Sequence, residues 1–215
     1  MKSRFSLILI GCVVIFGGIL FFTKKDASAP TTSNGQAVKA STHARGEGQK
    51  KVTVTEYGDF QCPACAGYYS VVEEVFKKYE KDITFQFRNF PLRSIHPNAM
   101  AAHRAAEAAS NQNKFWEMYG QLYSTQTAWS SLSDASATFR SYAQSLGLDM
   151  TKYDADVKSE ATNGILNADI AEGTKLDVTG TPTFFIEGKK IENPRDAESF
   201  YKLIDEAIAA KNQAQ

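Results

Sequence analysis

Cysteine is nearly missing from this chain: there are three in 215 residues, and only Cys62 and Cys65 lie beyond residue 12. A structural zinc site wants four ligands, and no second C-x-x-C is present to complete one. Histidine is equally scarce, and His43, His96 and His103 show no H-x3-5-H spacing, so no metal is expected. Haem attachment requires a histidine directly after the second cysteine, and Ala66 stands there. An excess of charge is lacking too. Lys+Arg and Asp+Glu both number 24 and are interspersed, for a net charge of zero, which leaves no footprint for nucleic acid. No internal repeat is visible, and no cofactor is expected.

What is present is the pair itself, Cys62-Pro63-Ala64-Cys65. The segment before it, Lys51 to Tyr57, reads as a strand, and the one after it, Tyr68 to Tyr79, as a helix. Pro63 suits the first helical turn, where its missing N–H is not needed. Two thiols one turn apart at such a junction can close as a disulfide or open to a dithiol. A purely structural bridge across so short a loop gains little from loop-closure entropy, so redox exchange is the stronger reading.

The N-terminus is the other informative region. Phe5 to Phe22 is an 18-residue run with Ser6 as its single strongly polar side chain. As a helix it would be roughly 27 Å long, close to the ~30 Å hydrocarbon core of a bilayer. Ala27-Ser28-Ala29 resembles a cleavage site, but Pro30 follows it. Leu9-Ile10-Gly11-Cys12 resembles a lipoprotein box, but ten apolar residues continue past it. The expectation is therefore an uncleaved single-pass anchor over residues 1–25, with the rest of the chain on the extracytoplasmic side of the cell membrane. Residues 26–49 are rich in Ala, Ser, Thr, Gly and Gln and read as a flexible linker, with His43 a bystander in it.

The folded domain is expected over residues 50–215. In its first strand Val52, Val54 and Glu56 share a face by period-two alternation, which puts an acid on an otherwise apolar face. Ile83 to Phe90 reads as a second strand stopped by Pro91, giving a βαβ unit whose two strands run parallel. From Asn98 to about Glu172 the sequence is helical, and Ser133 is a candidate cap for a helix ending at Gly147. Strand character returns at Thr183 to Glu187, with a turn at Gly188-Lys189 and a partner strand from Lys190. Ala197 to Ala210 closes the domain as an amphipathic helix. This is the α/β order of a thioredoxin-like fold with a helical subdomain inserted at about residues 95–173, behind an N-terminal membrane anchor.

With these residues in view, the chain resembles the DsbA-like family of thiol–disulfide oxidoreductases, in particular the membrane-anchored branch of exported bacterial members. The matching stretches are Glu56 to Cys65, Phe90-Pro91-Leu92, His96 to Ala102, and Val178-Thr179-Gly180-Thr181-Pro182-Thr183-Phe184-Phe185-Ile186. The resemblance implies that Cys62 is the exposed nucleophile and Cys65 the resolving thiol. It also implies that Pro182 is cis against the disulfide, and that Glu56 is the buried acid beneath the cysteines. Pro63-Ala64 and Thr181 depart from the Pro-His pair and the Val of the most oxidising members.

Elementary chemistry agrees with these roles. A helix N-terminus can depress the pKa of Cys62 by about 1.5 units, and larger shifts need donors such as the Cys65 thiol. Cys65, buried one turn on, must lose a proton to close the disulfide, and Glu56 can take it. Thr181, ahead of Pro182, can present its backbone to an extended peptide. His96 and His103 are expected to be structural. The function expected is disulfide formation in reduced exported proteins, with reoxidation by a membrane-embedded thiol oxidase. A reductase or isomerase of the same fold is the alternative, and a redox-silent peptide-binding module a more distant one.

Overall fold

Two seven-residue strands, Val52–Gly58 (β2) and Ile83–Asn89 (β3), form the parallel pair at the heart of the protein. They are joined by the helix Pro63–Tyr79 (α1). The computed structural model describes residues 38–213. The expected anchor over residues 1–25 lies outside them. Among the described residues, no helix is long and apolar enough to cross a membrane.

A short strand, His43–Arg45 (β1), lies antiparallel to β3 at one edge of the sheet. On the other side of β2 run Thr183–Ile186 (β4) and Lys189–Lys190 (β5), both antiparallel to their neighbours. The sheet order is β1-β3-β2-β4-β5. Between β3 and β4 stand six helices: α2 (Ala99–Ser110), α3 (Phe115–Ser124), α4 (Gln126–Trp129), α5 (Ser136–Ser145), α6 (Met150–Asp156) and α7 (Glu160–Lys175). The chain ends with α8 (Ala197–Gln213).

The apolar periodicity explains the layering. Val52, Val54, Ile83 and Phe85 alternate onto one sheet face and meet Val72 and Val75 of α1 and Phe200 and Ile204 of α8. In α2, Ala102, Ala105, Ala106, Ala108 and Ala109 are all buried. Their small side chains let α3, α5, α6 and α7 all pack against this one helix. Gly58 ends β2 under close cover. A Cβ there would lie 2.4 Å from the Phe87 ring and 2.9 Å from the Tyr123 hydroxyl.

The sequence reading is corrected at the N-terminal edge. Residues 38–49 belong to the fold rather than to a linker, and His43 is no bystander. His43 Nε2 lies 2.7 Å from Glu107 Oε1, and the ring stacks on Phe115 with centroids 3.6 Å apart. Ser41 donates to both oxygens of Asp169 from its N–H and its hydroxyl, at 2.7 and 2.6 Å. The N–H groups of Glu47, Gly48, Gln49 and Lys50 donate to the carbonyls of Glu80, Ile83, Lys81 and Asp82. Polar side chains and backbone hydrogen bonds, rather than apolar alternation, seat this segment. Two smaller differences concern helices. α1 starts at Pro63, a turn earlier than Tyr68, and α5 begins at Ser136, where Asp134 rather than Ser133 receives the first free N–H.

Candidate redox site

The site begins where β2 ends. Asp59-Phe60-Gln61 turns the chain, closed by a hydrogen bond from Cys62 N–H to the Asp59 carbonyl at 3.0 Å. Cys62 then occupies the N-cap position of α1 in extended geometry, with Pro63 as the first helical residue. Both thiols are free. Cys65 is 1% exposed and Cys62 only 6%, so Cys62 is recessed rather than exposed as the resemblance implies. Two elements crowd it. The Thr181 carbonyl accepts from Cys62 Sγ at 3.3 Å, and Gln126 of α4 donates from Nε2 to the carbonyls of Phe60 and Cys62 at 2.8 and 2.9 Å.

The thiols are driven in opposite directions. Cys62 is lowered to about 5, chiefly by the hydrogen bond from the Cys65 thiol, against a smaller contrary effect of burial. The Thr181 hydroxyl and the N–H groups of Cys65 and Ala64 add to the lowering. Thr181 Oγ1 is buried and has no hydrogen-bond partner among the described residues, so its proton is free to turn toward a Cys62 thiolate. Cys65 is pushed well above the ordinary thiol value, first by burial, then by its hydrogen bond to Cys62 and by the charge of Glu56. The helix terminus alone accounts for only part of the Cys62 shift. The second thiol supplies the larger share.

Glu56 is 1% exposed and sits in the sheet between Phe87 and Phe184. Burial raises its carboxyl to about 8, opposed by a hydrogen bond from Tyr119 Oη (3.3 Å to Oε2) and by the charge of Arg45. A carboxyl at that value exchanges protons readily near neutral pH.

The Thr181–Pro182 peptide bond is cis. Its place beside Cys62 follows from the sheet, because Thr183 pairs with Tyr57 two residues before Asp59. The loop is secured by Thr183 Oγ1 donating to the Gly180 carbonyl (2.7 Å) and Asn193 Nδ2 to the Pro182 carbonyl (2.9 Å). Cys62, Cys65, Glu56, Thr181 and Pro182 are thus gathered at one end of β2 and β4.

Sequence reasoning missed the residues that hold this end in place. Asp59 is wholly buried and accepts from Gln61 N–H, Leu92 N–H and His96 Nδ1 at 2.8, 2.8 and 2.7 Å. Burial alone would raise its carboxyl, but the imidazoles of His103 and His96 and the Leu92 N–H outweigh that and lower it. Gln61 accepts from Asn98 N–H (2.6 Å) and donates to the Ser130 carbonyl (2.8 Å). His103 Nε2 lies 3.3 Å from the Phe60 nitrogen and 3.8 Å from Asp59 Oδ1, while Nδ1 meets Asn89 Oδ1 at 2.6 Å. An Asp two residues before a Gln in a turn is the one sequence sign of this scaffold.

The wider comparisons fit this geometry. A family model described as Thioredoxin matches residues 39–206. The chain belongs to the thioredoxin family. Among solved structures it is similar to oxidised BdbD from Bacillus subtilis, with a TM-score of 0.69, 19% identity and coverage of 80% of this chain and 99% of that one. It is also similar to alpha-DsbA1 from Wolbachia pipientis, with a TM-score of 0.70, 19% identity and coverage of 80% and 94%. The fold is therefore that of the DsbA-like members of the thioredoxin family. Among curated proteins, a protein named Na(+)/H(+) antiporter NhaA 1 from Mycolicibacterium gilvum is 34% identical over 167 residues, 76% of this chain and 26% of the relative. The chain thus spans about a quarter of the length of the curated relatives it matches.

Proposed function

We propose that this protein is an extracytoplasmic thiol–disulfide oxidoreductase that forms disulfides in exported proteins. The observation that carries the reading is the placement of the two thiols, Cys62 at the N-cap of α1 against the Thr181 carbonyl of the cis-proline loop and Cys65 buried one turn on, which holds Cys62 at about 5 and pushes Cys65 far above it. A thiolate stabilised to that degree favours the reduced pair by about 3 kcal/mol at pH 7, or about 60 mV, relative to an ordinary thiol. The disulfide form is correspondingly inclined to be given away.

A substrate thiolate attacks Cys62 Sγ, the Cys62–Cys65 bond breaks, and Cys65 leaves as a thiolate that Glu56 protonates. A second substrate thiolate attacks the mixed disulfide, forming the substrate disulfide and releasing Cys62 as its stable thiolate. For reoxidation, Cys62 attacks the disulfide of a membrane-embedded thiol oxidase, which takes the two electrons. Glu56 then removes the proton from Cys65, whose sulfur attacks Cys62 Sγ and expels the partner thiolate. A carboxyl near 8 serves both directions.

The apolar run at Phe5 to Phe22 supports export and anchoring. A similar domain inside proteins named as Na(+)/H(+) antiporters supports a place at a membrane. Trapping the thiols in cells by acid quench and alkylation tests the direction: an oxidase holds Cys62 and Cys65 predominantly as a disulfide. A predominantly reduced pair would reassign the protein as a reductase.

A further inference from the structure

Arg45 is a charged side chain on the edge strand β1. It points inward, and Arg45, Phe85 and Val54 form one cross-strand row beside the row of His43, Phe87 and Glu56. The guanidinium carbon lies 4.0 Å from the Phe76 ring centroid, 4.4 Å from that of Trp116 and 5.7 Å from that of Tyr119. Its terminal nitrogens pair with the two oxygens of Glu73 on α1, Nη1 at 3.2 Å from Oε2. Nε is buried with no partner among the described residues. A cation walled by aromatic faces, with a single carboxylate partner, is poorly screened and acts over several ångströms.

We infer that Arg45 is a positioning residue of the proton-transfer step, holding a fixed positive charge near Glu56, with Glu73 as the counter-charge that moderates it. This rests on the exchange reading proposed above. Tyr119 links the two groups, because its ring borders Arg45 and its hydroxyl donates to Glu56 Oε2 at 3.3 Å. The ionisable groups that bear on Glu56 are Cys62 at the N-cap of α1, Cys65 and Glu73 within α1, Arg45 of β1, and Tyr119 and Tyr123 of α3. Its sheet neighbours Phe87 and Phe184 are apolar. Arg45 is the one cation in this set. It favours the Glu56 carboxylate that must accept the Cys65 proton, whereas Glu73 disfavours it.

The test uses the full-length chain and two readouts. One is the titration of the Glu56 carboxyl by carbon NMR, and the other is the pH profile of mixed-disulfide resolution by Cys65. Arg45→Met should move both midpoints up by about one unit, and Glu73→Gln should move both down, while Arg45→Lys keeps them near wild type. In a Glu56→Gln background neither change should move the resolution profile. A merely structural role would lower rates or stability without opposite displacements of the midpoint. Coincident midpoints in wild type, Arg45→Met and Glu73→Gln would overturn the inference. If Arg45→Met does not fold, Arg45→Gln, which keeps a polar stem without the charge, takes its place and should give the same upward displacement. A wild-type chain showing no Cys65-dependent exchange at any pH would sink the functional reading instead, and the carboxyl titration would still judge Arg45.

Discussion

Cys62 and Cys65 are separated by one helical turn and carry opposite perturbations, which makes each thiol's titration a direct measure of the site. Alkylation of Cys62 should follow a midpoint near 5, and Cys65 should stay unreactive through neutral pH in the folded protein. A Cys62 midpoint near the ordinary value of about 8.5 would show that the Cys65 and Thr181 hydrogen bonds do not form in solution. Glu56 gives a second prediction, on stability. Its folded value of about 8 exceeds the ordinary 4.5. Its contribution is therefore intact below pH 4.5 and is lost as pH rises toward 8. Glu56→Gln should stabilise the reduced protein by about 3 kcal/mol at pH 7, with the gain vanishing in acid. Equal denaturation midpoints for the two proteins at pH 7 would mean that the carboxyl is solvated.

Among the elements, legibility tracked apolar periodicity. β2, β3, α1 and α8 were readable because their buried residues recur at period two or along one helical stripe. The redox pair was readable because C-x-x-C between a strand and a helix has few other uses. β1 was not. Three residues, His-Ala-Arg, carry no alternation, and their seat depends on a buried acid 64 residues away, Glu107. Asp59 was missed for the same reason, since its partners Leu92 and His96 come from a distant loop. Asn89 is the junction of this polar layer. Its Nδ2 donates to Glu107 Oε1 (2.6 Å) and Asp169 Oδ2 (2.7 Å), and its Oδ1 meets His103 (2.6 Å). Asn89→Leu strips one partner from two buried carboxylates and should cost about 3–5 kcal/mol by chemical denaturation. A loss below about 1 kcal/mol would show that Ser41 and His43 suffice to hold those acids.

At the scale of the whole molecule, the described residues form one domain whose candidate site lies at the common end of β2 and β4, with the helical block between β3 and β4 covering one side. Under the proposed placement, the full-length chain should sediment with membranes and its domain should be cleaved by protease added outside intact protoplasts. Recovery of the full chain in the soluble fraction, or protection from that protease, would remove the extracytoplasmic assignment and leave the exchange chemistry untouched.

The pairing of Tyr57 with Thr183 has a temporal consequence. Cys62 and the Thr181 carbonyl that caps it are 119 residues apart in the chain. At ordinary rates of synthesis roughly ten seconds separate the making of the two. In that interval Glu56 lacks its Phe184 neighbour, and Cys62 has neither the Thr181 carbonyl nor its hydroxyl. At that stage Cys62 has at most the contribution of Cys65 and of the helix start, without that of Thr181. The site is complete only once β4, the penultimate strand, has been made, so assembly of the thiol pair waits on the C-terminal part of the chain.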